Sequence, residues 1–158
     1  MITIEKKSLK VGKYVDTEHA NTVIREYKKE RWVHNSERMG KADSLSAWYS
    51  VEELEDFIET SKMHGADGIK FYFAAYPQAY AEKPEYAGRQ TLVLVATKQK
   101  QTDTGVQNKD VYIHGEGNPL LLAYNQAALC PPICNGSFGD SDLGVFLIDQ
   151  GEQGMSVL

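Results

Sequence analysis

The stretch YSVEELEDFIETSKMHG, residues 49–65, fixes one helix and, together with the alternating segment at 69–76, a class of fold. Ser50 can accept the N–H of Glu53 while the Glu53 carboxylate turns back to the Ser50 N–H, and Tyr49 stands where it can pack on Leu54. These are a capping box and a hydrophobic staple. Glu52, Glu53 and Glu55 add negative charge where the helix dipole favours it. Val51, Leu54, Phe57 and Ile58 make one apolar stripe, and Gly65 after His64 is a natural stop, so the spacing predicts a helix over 51–64.

The period then changes. In IKFYFAAY, Ile69, Phe71 and Phe73 alternate with Lys70, Tyr72 and Ala74, as in a strand with one apolar and one mixed face. TLVLVAT, 91–97, is apolar on both faces and reads as a central strand. Shorter strands are expected at 45–49, 111–114 and 143–149. KQKQTDTGVQNKD reads as a polar insert, and Asn118 with Pro119 can start a short helix through LLLAYNQAAL. Upstream, Ala20, Val23, Ile24 and Tyr27 follow helical spacing behind Asp16, which predicts a helix over about 17–31, with 36–44 as a connector. A strand at 45–49, the 51–64 helix and the next strand allow a right-handed parallel crossover. The class is α+β: a mixed, mostly antiparallel sheet of about four to five strands with two main helices packed on it. The 158 residues form one domain, with an N-terminal helical segment 1–41, a sheet core 42–150 and a tail 151–158.

Composition excludes several roles. No apolar run approaches the ~20 residues of a membrane span, and MITIEKKSLKVGKYVD lacks the apolar core of a secretory signal, so the expected location is cytoplasmic. Residues 1–41 carry ten Lys and Arg against six acids, residues 42–68 one against seven, and none follows Asp110. Nucleic-acid binding needs a basic face, and the only basic segment is interrupted by Glu18, Glu26 and Glu30, so no nucleic-acid partner is expected. HGEGNP lacks the strand-turn-helix setting of a dinucleotide fingerprint, there is no phosphate-binding loop, and no cofactor is expected.

AWYSVEELEDFI, ADGIKFYFAAYP, QTLVLVAT and LCPPIC resemble a family of small, uncharacterised single-domain Bacteroidota proteins over roughly residues 40–136. The resemblance implies a single-domain bacterial protein and carries no catalytic residues.

Both cysteines lie in CPPIC, 130–134. Two consecutive prolines bias this segment to polyproline II at ~3.1 Å per residue, about 12 Å over four residues, whereas a disulfide needs Cα atoms within ~7 Å. Two free, weakly reactive thiols follow as the expectation unless Ile133 turns the chain sharply or one prolyl bond is cis. The competing reading takes His114, Cys130 and Cys134 as zinc ligands and Glu116 as proton shuttle, after the H-x-E…P-C-x-x-C pattern of zinc deaminases. It departs from that pattern in the residue before Cys130, in the spacing of the pair and in the short interval from Glu116.

The favoured reading is a non-catalytic binding or interaction module. Tyr72, Tyr76, Tyr80 and Tyr86 lie on or after one strand with Arg89 beside them, and tyrosines suit interfaces with a protein or a small ligand. A plainer reading packs the same tyrosines against their own domain. A homodimer is compatible with this surface, with the N-terminal segment or residues 76–90 at the contact.

Overall fold

The computed structural model of the chain describes residues 9–134 together with the strands Leu147–Asp149 and Met155–Val157. The first helix starts at Thr17, where the Asp16 side chain accepts the His19 N–H at 2.8 Å. It runs as α1 (Thr17–Tyr27), passes through a π-helical turn at Lys28–Trp32 and continues as α2 (Val33–Met39). The helix is therefore longer than the apolar spacing indicates. A π turn adds a residue and shifts the phase, so the stripe begun at Ala20 breaks while the backbone stays helical. Gly40 ends it at φ +71°.

Strand β1 (Ser46–Trp48) leads into α3 (Val51–Met63), whose start carries the expected box. Glu53 N–H donates to Ser50 Oγ at 3.1 Å, and Ser50 N–H donates to Glu53 Oε2 at 2.7 Å. The helix stops at His64 with Gly65 at φ +83°, which only glycine adopts without strain.

The main sheet is built on β3 (Gln90–Thr102), flanked by β2 (Gly68–Ala75) on one edge and by β4 (Gly105–Asp110) and β7 (Ala123–Tyr124) on the other. All described pairings are antiparallel. The parallel crossover does not form, because β1 pairs with β8 (Ala128–Cys130) outside this sheet. The polar run after Thr97 is a hairpin rather than an insert. Lys98 faces Lys109 and Gln99 faces Asn108, so both faces are wet and no apolar alternation marks the strands. Its turn is set by Gly105 at φ +114°. LLLAYNQAAL is likewise extended, holding β6 (Leu120–Leu121), β7 and the start of β8, with β6 paired to β5 (Tyr112–Ile113). Of the strand expected at 143–149, Leu147–Asp149 is present as β9, paired with β10 (Met155–Val157), and the remainder lies outside the described residues.

Two apolar clusters hold these parts. In the first, Phe57 of α3 packs on Leu94, Ala96 and Leu122, with Leu54, Tyr49 and Ile69 around them. In the second, Tyr76, Tyr86, Ala127 and Leu129 close the far end. Ile69, Phe71 and Phe73 share a face with their partners Ala96, Leu94 and Leu92, so α3 lies over the Gly68 end of β2. The 17–39 helix lies over the Ala75 end of the same face, where Tyr27 and Phe73 line one hollow.

Candidate functional site

Between the 17–39 helix and the sheet runs a groove in two joined parts. One, of about 580 Å³, is bounded by Tyr27, Arg31, Asn35, Arg38, Asp43 and Phe73. The other, of about 290 Å³, is bounded by Val23, Ile24, Leu45, Ala47, Phe73 and Leu92. Tyr27, Phe73 and Gln90 belong to both. Cavities of this size suit small ligands. The apolar part is open: Val23 is 49% exposed, Ile24 40% and Phe73 83%, although all three are large hydrophobics facing a common space.

The polar part is built around Asp43, a buried carboxylate on the loop between α2 and β1. Its Oδ1 accepts the backbone N–H of Ser44 at 2.8 Å and of Gln90 at 2.7 Å, and its Oδ2 accepts Asn35 Nδ2 at 3.2 Å. Its own N–H donates to Ser36 Oγ, and its carbonyl accepts Trp32 Nε1 at 2.8 Å. One residue thus ties the helix to the first residue of β3. The Tyr27 hydroxyl donates to Gln90 Oε1, and its pKa is raised, first by burial and then by the Asp43 charge.

Arg31, Asn35 and Arg38 share a wall of the groove at i, i+4, i+7 spacing. Arg31 and Arg38 are exposed and make no ion pair among the described residues. Sequence reasoning missed all three residues. Their spacing is legible only once the helix is known to continue past Trp32, and the π turn hides that.

The residues singled out in the sequence fall elsewhere. Tyr76 and Tyr86 are core, stacked at 5.7 Å, and Tyr80 stacks on Tyr76 at 4.6 Å. The Tyr86 hydroxyl accepts the Leu129 N–H at 3.1 Å, and Lys83 sits 4.3 Å over its ring. Arg89 is buried, donating through Nε to the Glu85 carbonyl at 2.8 Å and through Nη1 to the Ala42 carbonyl. Burial pushes its pKa down and the field of Asp43 pulls it back. Tyr76, Tyr86 and Arg89 therefore present no surface to a partner, since their polar atoms are taken up inside the fold, Tyr76 by Asn125, Tyr86 by Leu129 and Arg89 by Glu85 and Ala42. Only Tyr72 sits on the open sheet, with its hydroxyl on Asp110 Oδ2 at 2.9 Å beside a Lys70–Asp110 ion pair at 3.0 Å. Burial raises the Asp110 pKa, but hydrogen bonds from Lys70 and Tyr72 leave it lowered overall.

The cysteine expectation is overturned. Cys130 and Cys134 are joined as a disulfide with Cα atoms 4.9 Å apart. The segment is a closed turn rather than an extended one: Ile133 N–H donates to the Leu129 carbonyl at 2.7 Å, and both prolyl bonds are cis. Ile133 packs on the tyrosine cluster, so the bridged loop is a lid on the second core. Thiol titration of denatured, unreduced protein should accordingly return no equivalents, and two after reduction. Replacing both cysteines by serine should cost about 2 kcal/mol for a loop this short. Two equivalents without reductant would exclude the bridge.

Metal ligation by sulfur requires thiolate, so the bridged pair cannot serve with His114, which is exposed after β5. Glu116 is exposed in the following turn. Among the described residues no three metal-ligating side chains converge. The four histidines are exposed, and none hydrogen-bonds a serine, threonine or cysteine side chain among the described residues. No described helix is long and apolar enough to cross a membrane. Comparison of the chain with protein-family models, with curated proteins and with solved structures gives no match.

Proposed function

We propose that this protein is a non-catalytic binding module, and that its groove takes a ligand with an anionic head and an apolar body. The observation that carries the reading is the division of one continuous groove into an end with two exposed arginines and an end walled by exposed Val23, Ile24 and Phe73. A carboxylate or phosphate at the first end would accept charge-assisted hydrogen bonds from Arg31 and Arg38, with Asn35 between them. Apolar ligand atoms at the second end would cover surface that the fold leaves in water. The Asp43 charge at this end has a counter-charge in Arg89, which lies within its field, so Arg31 and Arg38 are left to meet the anion.

Decanoate, with decanol as its neutral counterpart, is a direct probe. Calorimetry should find decanoate bound and decanol bound at least ~10-fold more weakly, since hydrogen bonds to a charged group contribute about 1.5–3 kcal/mol. An Arg31→Gln, Arg38→Gln variant, altered only at exposed positions, should lose the same factor. Equal binding of acid and alcohol, or an indifferent double variant, would remove the anionic head from the reading.

The resemblance to small Bacteroidota proteins implies no activity and is compatible with a binding role. A cytoplasmic location belongs to the same reading, with the Cys130–Cys134 bond then open to reduction by cellular thiols.

A further inference from the structure

The second strand is an unguarded edge. Among the described residues β2 pairs with β3 alone, through an unbroken one-to-one register from Gly68 opposite Thr97 to Ala75 opposite Gln90. Just beyond it, the Tyr76 N–H donates to the Arg89 carbonyl at 3.0 Å. Antiparallel ladders alternate, so even-numbered residues of β2 bond to β3, and the N–H and C=O of Ile69, Phe71, Phe73 and Ala75 point to the open side. Those same residues carry the exposed apolar face, with Phe71 54% and Phe73 83% exposed.

Natural edges are protected by a proline, a bulge or a charge. The strand GIKFYFAA has no proline, and its register has no bulge. Its one charge, Lys70, is drawn back across the sheet to Asp110 at 3.0 Å, on the face away from Phe71 and Phe73. Eight residues of backbone are thus left without a deterrent.

We propose that β2 pairs edge to edge, antiparallel, with β2 of a second copy of this chain, joining two sheets about a two-fold axis near Tyr72. Pairing the outward residues 71 and 73 across that axis sets Phe71 opposite Phe73 of the second copy, twice, on the apolar face. The helices above that face are what make a second copy the fitting occupant. The Ala75 end of β2 lies beneath the 17–39 helix, where Arg25, Lys28, Lys29, Arg31 and Arg38 outnumber Glu18, Glu26, Glu30 and Glu37 by one, and the Gly68 end lies beside α3, where Glu52, Glu53, Glu55, Asp56 and Glu59 outnumber Lys62 by four. Antiparallel pairing brings unlike ends together. The 17–39 helix of each copy, with its slight excess of cations, then lies toward the strongly acidic α3 of the other, so unlike net charges meet. The expected contact at residues 76–90 moves to 68–75, because Tyr76, Tyr86 and Arg89 are interior.

Sedimentation velocity on the full chain, across a dilution series, is the test. The expected result is a reversible dimer. A Phe71→Lys, Phe73→Lys variant sets like charges opposite one another and should raise the dimer dissociation constant at least ~100-fold, with an unchanged circular dichroism spectrum. Phe73→Pro is a second variant, since it removes an outward N–H that β3 does not use, and it should weaken the dimer likewise. A parent that stays monomeric at the highest concentration reached would overturn the proposal, as would a dimer indifferent to both variants. A chain whose own strands covered the edge would give the first of these results. The two readings share Phe73, so the parent chain separates them: a monomeric parent that still binds decanoate fails here alone, and a dimer that ignores decanoate fails there alone.

Discussion

Phe57→Ala should lower the unfolding free energy by about 3–5 kcal/mol, read from urea denaturation, the cost of removing a large aromatic from a packed core. Phe57 is 6% exposed, packs against Leu94, Ala96 and Leu122, and stacks on Tyr124 at 5.4 Å. Nothing nearby can fill the space, because its neighbours are fixed by β3 and β7. The adjacent Ile58→Ala should cost much less, since Ile58 is 40% exposed on the same helix. Equal losses at the two positions would mean that α3 is rotated from the orientation described, and a loss below ~1 kcal/mol at Phe57 would mean that the helix does not close this core.

That contrast marks how far the sequence was legible. The start and stop of α3 and the burial of Phe57 were readable because each depends on residues within a turn of one another, Ser50 with Glu53 and Gly65 after His64, but Val51 and Ile58, expected on the buried stripe, are exposed and Ser61 is buried instead. β3 was readable because it is apolar on both faces. The helix beyond Trp32 and the β6–β8 strands were not, since their anchors lie outside the local window, and the β4 hairpin was not because both its faces are polar. Trp32 bonds to Asp43, β7 pairs with Leu94 and Val95, and Leu129 is held by the Tyr86 hydroxyl. Cys130 and Cys134 misled for a related reason. The proline bias is a local preference, and the turn that overrides it is closed by Ile133 on Leu129 and packed on tyrosines more than forty residues away. The groove was hidden most completely. Val23, Ile24 and Phe73 were legible as apolar faces of a helix and a strand, yet both faces remain open, and no local pattern distinguishes an apolar face that will be covered from one that will not.

Asp43→Ala should be among the most damaging single changes outside the apolar core. The carboxylate accepts two backbone N–H groups from different parts of the chain, and Ala leaves both buried without an acceptor, at about 1–3 kcal/mol each. The change also removes the negative field that offsets the burial of Arg89, whose guanidinium remains fixed to the Ala42 and Glu85 carbonyls. A total of about 2–6 kcal/mol is a large part of the stability of an ordinary domain, so the variant should melt far below the parent. Asp43→Asn separates the two causes. Its Oδ1 can still accept from Ser44 and Gln90, while its amide faces Asn35 Nδ2, donor against donor, unless Asn35 turns over. Asn should therefore recover most of the stability and leave Arg89 without its counter-charge, a difference that a paired denaturation series of parent, Asn and Ala resolves. If Ala melts with the parent, the loop at 43 does not anchor the helix to β3. If Asn is as damaging as Ala, the charge rather than the two N–H bonds holds the groove together, and the binding end of the site depends on an ion field that its own arginines share.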